Sequence, residues 1–192
     1  MIAFLIFIVL LALVLTYAAR KPNSFRIERS LTIPVGPEKL FPFINDLQRW
    51  VAWSPWEKID PDMQRSYSGP SHGKHAVYQW QGSGRAGTGR MEILASLPYR
   101  KIIIQLDFYK PKTALNYAEF TFDLLGTSTT VSWAMFGPAP YPYKLMSLFV
   151  NMDRILGHEF EKGLHNLKHL IESVSKDSKD STTPLSQNPL ST

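Results

Sequence analysis

The residues able to do chemistry are few. The chain of 192 residues holds five histidines, His72, His75, His158, His165 and His169, and no cysteine. Disulfides, thiolate zinc sites, iron–sulfur clusters and a cysteine nucleophile are therefore excluded. A metal would need histidine and carboxylate ligands. His165 and His169 stand four apart with Glu161 four before them, so on a helix the three share one face. That row lies opposite the apolar stripe of its segment and reads as a solvated polar face, not a metal centre. Asp153 and Glu159 flank the same stripe. Each is either a carboxyl of raised pKa, fit for general acid–base work, or half of an ion pair at a cavity rim. Asp107 falls out of phase with Ile102, Ile104, Leu106 and Phe108 and should face solvent. Glu92 alternates with Met91 and Ile93, and the pattern does not place it. No Gly-x-Ser-x-Gly, phosphate-cradling loop or His-Glu-x-x-His occurs. Gly82 to Gly89 (GSGRAGTG) is glycine-rich, but a strand follows it where a phosphate site would want a helix, so a hairpin is expected. No catalytic set, metal or cofactor is assigned.

The large apolar rings carry more information. Trp53, Trp56, Tyr67, Tyr78, Trp80, Phe108, Phe120, Trp133, Phe149 and Phe160 mostly fall on inward phases. With Met91, Met135, Met152, Leu156 and Gly163 they are the candidate ligand-binding residues. Rings and thioethers around a void would suit a flat or extended apolar ligand. The competing reading is a filled core.

The elements that must position these residues follow from periodicity. Phe25–Ile33 alternates as a strand. Pro37–Trp50 carries a helical stripe (Leu40, Phe41, Phe43, Ile44, Leu47) that Pro42 shortens or kinks. Trp50–Trp56 is irregular because of Pro55. Strands are expected at Gln64–Ser68, Ala76–Trp80, Arg90–Leu97, Lys101–Phe108, Leu115–Leu124 and Thr129–Phe136, with glycine- and proline-rich turns that favour antiparallel meanders. Beyond Pro140 the period changes to three and four. Leu145, Phe149, Met152, Leu156, Phe160, Gly163, Leu167, Leu170 and Val174 predict one long amphipathic helix, about Tyr143 to Ser173. An antiparallel sheet that curls around one long helix would leave a cavity between them.

Three parts are expected: an apolar anchor over residues 1–21, a globular domain over 22–174, and a Ser/Thr/Lys/Asp/Pro-rich disordered tail over 175–192. Ile2–Ala19 spans ~27 Å as a helix, just enough for a hydrocarbon core of ~30 Å. A signal peptide and a buried core helix are the weaker readings: no charge precedes Ile2 beyond the amino terminus, and Thr16-Tyr17-Ala18 is a poor cleavage site. Arg20 and Lys21 follow the span, so the domain should be cytoplasmic by the positive-inside rule. The chain carries 21 Lys+Arg against 16 Asp+Glu, a net charge of +5. Eight Lys/Arg against two Asp/Glu fall between Arg65 and Lys112. They read as solvated strand edges, or as a surface drawn to anionic lipid headgroups beside a membrane. Nucleic acid is disfavoured, since no recognition motif accompanies them.

Several phrases together resemble the START-type helix-grip superfamily (SRPBCC), in its polyketide cyclase/dehydrase-like branch. They are Phe25–Ser30 with Ile33-Pro34 and Pro37-Glu38, then Trp50 with Trp53-Ser54-Pro55-Trp56. Tyr67-Ser68-Gly69-Pro70, Gly87-x-Gly89-x-Met91-Glu92-Ile93, and Met152-Asp153 with Phe160-Glu161-Lys162-Gly163-Leu164-x-x-Leu167-Lys168 complete the set. The resemblance covers about Phe25 to Val174. It implies an α+β helix-grip fold, a curved antiparallel sheet of six to seven strands around a long C-terminal helix, with a hydrophobic cavity between them. It carries no catalytic set over. The expected function is a membrane-anchored protein holding a hydrophobic small molecule or lipid. The alternatives are a cyclase-, dehydratase- or hydrolase-type enzyme on an apolar ring substrate, and an interaction module with a filled core.

Overall fold

The computed structural model describes residues 1–180, with side chains to residue 175. The elements run α1 (Ile2–Arg20), β1 (Ser24–Ile33), α2 (Pro37–Asn45), 3₁₀ turns at Leu47–Ala52 and Pro55–Lys58, then β2 (Gln64–Ser68), β3 (Val77–Gln81), β4 (Thr88–Leu97), β5 (Lys101–Lys110), β6 (Ala114–Leu125), β7 (Ser128–Pro138), α3 (Tyr141–Met146) and α4 (Met152–Asp180). One seven-stranded sheet has the order β1-β7-β6-β5-β4-β3-β2, with every neighbouring pair antiparallel. Strands β2 to β7 are a meander, and β1 closes its far edge against β7. The expected fold class, an α+β helix grip, is the observed one.

The period-2 pattern puts Met91 and Ile93, Ile102 and Ile104, Ala118, Phe120 and Phe122, and Val131 and Trp133 on the concave face, all buried. Register brings Ile104 opposite the small Ala118, and Phe120 opposite Trp133, whose rings stack across the strands. Helix α4 lays Phe160, Leu164, Leu167 and Ile171 on that face, each at most 2% exposed.

Two expectations about this helix need correcting. It is not continuous from Tyr143. The chain leaves helix after Met146 and restarts at Met152, where Asn151 caps the new first turn by accepting from the Arg154 amide (2.9 Å). Lys21 holds the break from the other side, donating to the Ser147 carbonyl and hydroxyl at 3.1 and 2.9 Å. The buried stripe also drifts. Phe149, Leu156, Gly163 and Leu170 repeat every seven residues, and a straight helix rotates about 20° per heptad relative to that repeat. Contact therefore moves to Leu164 and Ile171, leaving Leu170 partly exposed and Val174 at 48% exposure.

Arg29 of β1 fastens α4. Its guanidinium donates to the Asp153 carboxylate at 2.9 and 3.1 Å and to Glu161 at 2.7 Å. Gly157 makes room for it, because a Cβ there would occupy the place of the guanidinium. Asp153 is thus a rim ion pair, its carboxyl held below its ordinary range by the Arg29 hydrogen bonds, and Glu161 serves Arg29 instead of a metal. Among the described residues no cluster of metal-ligating groups forms. The glycine-rich stretch is the β3–β4 hairpin, with Gly84 and Gly87 at positive φ. Residues 175–180, expected in the tail, continue α4; residues 181–192 lie outside the described residues.

The convex face is polar. Glu119 is bridged by Lys101 and by Arg26, at 2.5 and 2.9 Å. The Lys101 hydrogen bond, helped by Arg26, outweighs burial and holds the Glu119 carboxyl below its ordinary range. Its stabilisation is complete above the unfolded value of about 4.3 and is lost as pH falls through the lower folded value. Glu119→Gln should therefore lie below wild type in stability at neutral pH, with the gap narrowing below about pH 4. Urea unfolding across this range checks it; a gap independent of pH would remove the role of the charge. Glu92 is held by Arg90 and His75, and Asp107 lies beside Arg90 at 3.7 Å on the same outer face.

Candidate functional site

Between α4, the 3₁₀ turns and the concave sheet lies a cavity of about 240 Å³. Its aromatic wall is built by Trp56, Tyr78, Trp80, Phe108, Trp133 and Phe160, with Met91, Met135 and Leu156 filling between them. Alternation along β3 puts Tyr78 and Trp80 on one side, their rings stacked at 5.9 Å. Trp133 stacks between Phe120 (5.0 Å) and Phe160 (4.6 Å), joining sheet to helix.

The remaining candidates lie elsewhere. Trp53 and Phe120 are fully buried and stand behind the wall, Trp53 with its ring 5.5 Å from Trp133. Tyr67 stacks on Tyr78 at 5.1 Å but is 38% exposed on the edge strand. Phe149 and Met152 border a separate surface groove of about 560 Å³ beside Lys21 and Tyr143, because the break between α3 and α4 swings them away. Phe149 is 78% exposed. Gly163 borders no void: a Cβ there would stand 2.7 Å from the Trp133 ring and 3.1 Å from Pro55. Its missing side chain admits a packed ring. Gly163→Leu should thus destabilise by about 1–3 kcal/mol through overpacking. Thermal melting tests this, and a variant as stable as wild type would show that the ring has room to retreat.

The cavity also has a polar end that no periodic sequence pattern marks. Ser54 and Glu57 line the cavity. The Glu57 side chain is 3% exposed, and its carboxylate accepts from the Tyr78 hydroxyl at 2.8 Å and from Arg65 Nε at 2.6 Å. Arg65 also donates to the Glu57 carbonyl at 3.0 Å. Burial first, and the bond to Glu57 second, push the Tyr78 phenol far up, so it stays a donor. Ser54 Oγ is fully buried without a hydrogen-bond partner, alone in this among the described residues. No periodicity flags Glu57, since it sits on a 3₁₀ turn; its place directly after Trp53-Ser54-Pro55-Trp56 was the available signal.

The basic region is partly neutralised. Arg65 is held by Glu57, Arg90 by Glu92, and Lys101 by Glu119. This reduces its pull on anionic headgroups.

The model of the family described as "Polyketide cyclase / dehydrase and lipid transport" matches residues 24–172. The chain belongs to this family. Among solved structures, the di-domain ARO/CYC StfQ from the steffimycin biosynthetic pathway superposes with a TM-score of 0.58 at 12% identity, covering 80% of this chain and 52% of that one. Protein Ms6760 from Mycobacterium smegmatis gives 0.56 at 11% identity, covering 78% and 92%. Protein CV1439 from Chromobacterium violaceum gives 0.53 at 14% identity, covering 79% and 99%. No functionally curated protein matches the chain. These likenesses show the helix-grip fold.

Proposed function

We propose that this family member is a membrane-anchored binding protein that holds a hydrophobic small molecule, or the apolar part of a lipid, in the cavity under α4. The observation that carries the reading is the ring- and methionine-lined void itself, where a filled interaction module would have close packing. At about 240 Å³ it falls below the ~300–1,000 Å³ of drug-sized sites, which favours a compact ring system or a short chain.

The anchor supports the membrane part. Helix α1 is 19 residues long with mean hydropathy 2.9 and is 6% buried. Its C-terminal part is joined to the domain: Tyr141 donates to the Leu15 carbonyl (3.1 Å), and Lys144 donates to the Ala19 carbonyl (3.5 Å). Tethering at this point raises the concentration of a membrane-derived ligand at the domain.

An enzyme of cyclase, dehydratase or hydrolase type is the second reading, and buried Glu57 beside Tyr78 is the observation that favours it. The carboxylate is engaged by two donors and the phenol is held protonated. That suits holding a ligand better than moving a proton.

The test is uptake of an environment-sensitive apolar fluorophore by the full chain in lipid nanodiscs, with Leu156→Trp as the cavity-filled control. Wild type should bind and the variant should not. Equal signals from the two would place the probe outside the cavity and remove the reading. Alkaline extraction of cell membranes tests the anchor: the full chain should stay in the pellet and a chain lacking residues 1–21 should not.

A further inference from the structure

The buried end of the cavity is polar and not fully satisfied; Arg85, the other charged residue of the lining, is exposed on the β3–β4 hairpin. Ser54 is the residue before the 3₁₀ turn Pro55–Lys58, and Glu57 lies three residues on, its amide bonded to the Ser54 carbonyl at 3.3 Å. Both residues border the cavity.

Their hydrogen-bonding capacity is not used up. A carboxylate has about four acceptor sites. The Glu57 carboxylate accepts one bond at each oxygen, from Tyr78 and from Arg65. Ser54 offers one donor and two acceptor positions and uses none of them. A buried polar group left without a partner costs stability, and natural folds keep few of them. By contrast, the Trp80 indole N–H of the same wall is satisfied by the Ala86 carbonyl (3.0 Å).

The geometry points to a ligand that carries a single uncharged hydroxyl on an apolar body, the hydroxyl donating to the Glu57 carboxylate and accepting from Ser54. This deepens the cavity reading and rests on it. A hydroxyl is the simplest group that both donates and accepts. A carboxylate set beside Ser54 would meet the charge of Glu57, since Arg85, the cation of the lining, is exposed on the β3–β4 hairpin, and a ketone could accept but leave Glu57 unused. Arg65 pairs with Glu57, so the buried end presents an acceptor and a donor with its own charge balanced. A neutral alcohol or phenol fits that pattern.

The experiment compares 2-naphthol with naphthalene, which differ by the hydroxyl. Both are titrated into the full chain in nanodiscs by quenching of tryptophan emission, with protein-free nanodiscs as the partition blank. A hydrogen bond to a charged group predicts 2-naphthol binding at least about tenfold tighter. Ser54→Ala should collapse that ratio while its melting temperature stays at or above that of wild type. Glu57→Gln should also lower the ratio. Equal affinities for the two probes in wild type would overturn the hydroxyl site and leave the cavity reading standing. No binding of either probe would remove both. A ratio kept in Ser54→Ala and Glu57→Gln would place the hydroxyl elsewhere and overturn the assignment.

Discussion

Trp133→Ala should lower stability by about 3–5 kcal/mol, as truncation of a buried tryptophan does. Trp133 is 3% exposed and stacks at once on Phe120 of the sheet and Phe160 of α4. Its ring also closes on Gly163 and borders the cavity. Truncation removes a ring that joins α4 to the sheet and merges its volume with the void. Because Trp133 is what Gly163 makes room for, the two sites should be coupled. Gly163→Leu combined with Trp133→Leu should cost less than the sum of the single changes, by about 0.5–3 kcal/mol as contacting pairs do. Denaturant unfolding of the four chains measures this. Strict additivity would mean that the pair does not touch.

Glu57→Ala should cost about 3 kcal/mol, near the range for breaking a buried ion pair from one side. Two groups lose their partner together. Arg65 keeps the Met63 and Glu57 carbonyls but loses its charge partner, and the buried Tyr78 hydroxyl is left without an acceptor. Adding Tyr78→Phe to Glu57→Ala should recover part of the loss, since it removes the stranded hydroxyl. If the double variant is less stable than Glu57→Ala, the phenol has another partner and the hydrogen-bond account of this end is wrong.

The extent to which the sequence revealed these features follows from which parts are periodic. The seven strands were legible because β1 and β4 to β7 alternate over long runs, and the rings on β3, β5 and β7 carried their inward phase with them. Tyr78, Trp80, Phe108, Trp133 and Met135 line the cavity. The helix was legible as an element but not in its detail. Its apolar spacing runs without interruption through Phe149, and nothing local shows that Lys21, far away in sequence, holds Ser147. Gly163 marks a close approach, with the Trp133 ring 2.7 Å from where a Cβ would stand. Whether a ligand or a ring approaches depends on the sheet register that brings Trp133 there. The polar end of the cavity was not legible, because Ser54 and Glu57 sit on a 3₁₀ turn with no periodic face and obtain Arg65 and Tyr78 only through the fold.

We propose that the void under α4 holds an apolar ligand. The most direct measurement is native mass spectrometry of the full chain released from mild detergent, beside Leu156→Trp prepared in the same way. Wild type is expected to carry a small bound mass that collisional activation removes, and Leu156→Trp is expected to carry none. Wild type flying only at the mass of the bare chain, or the same adduct on both proteins, would contradict the account.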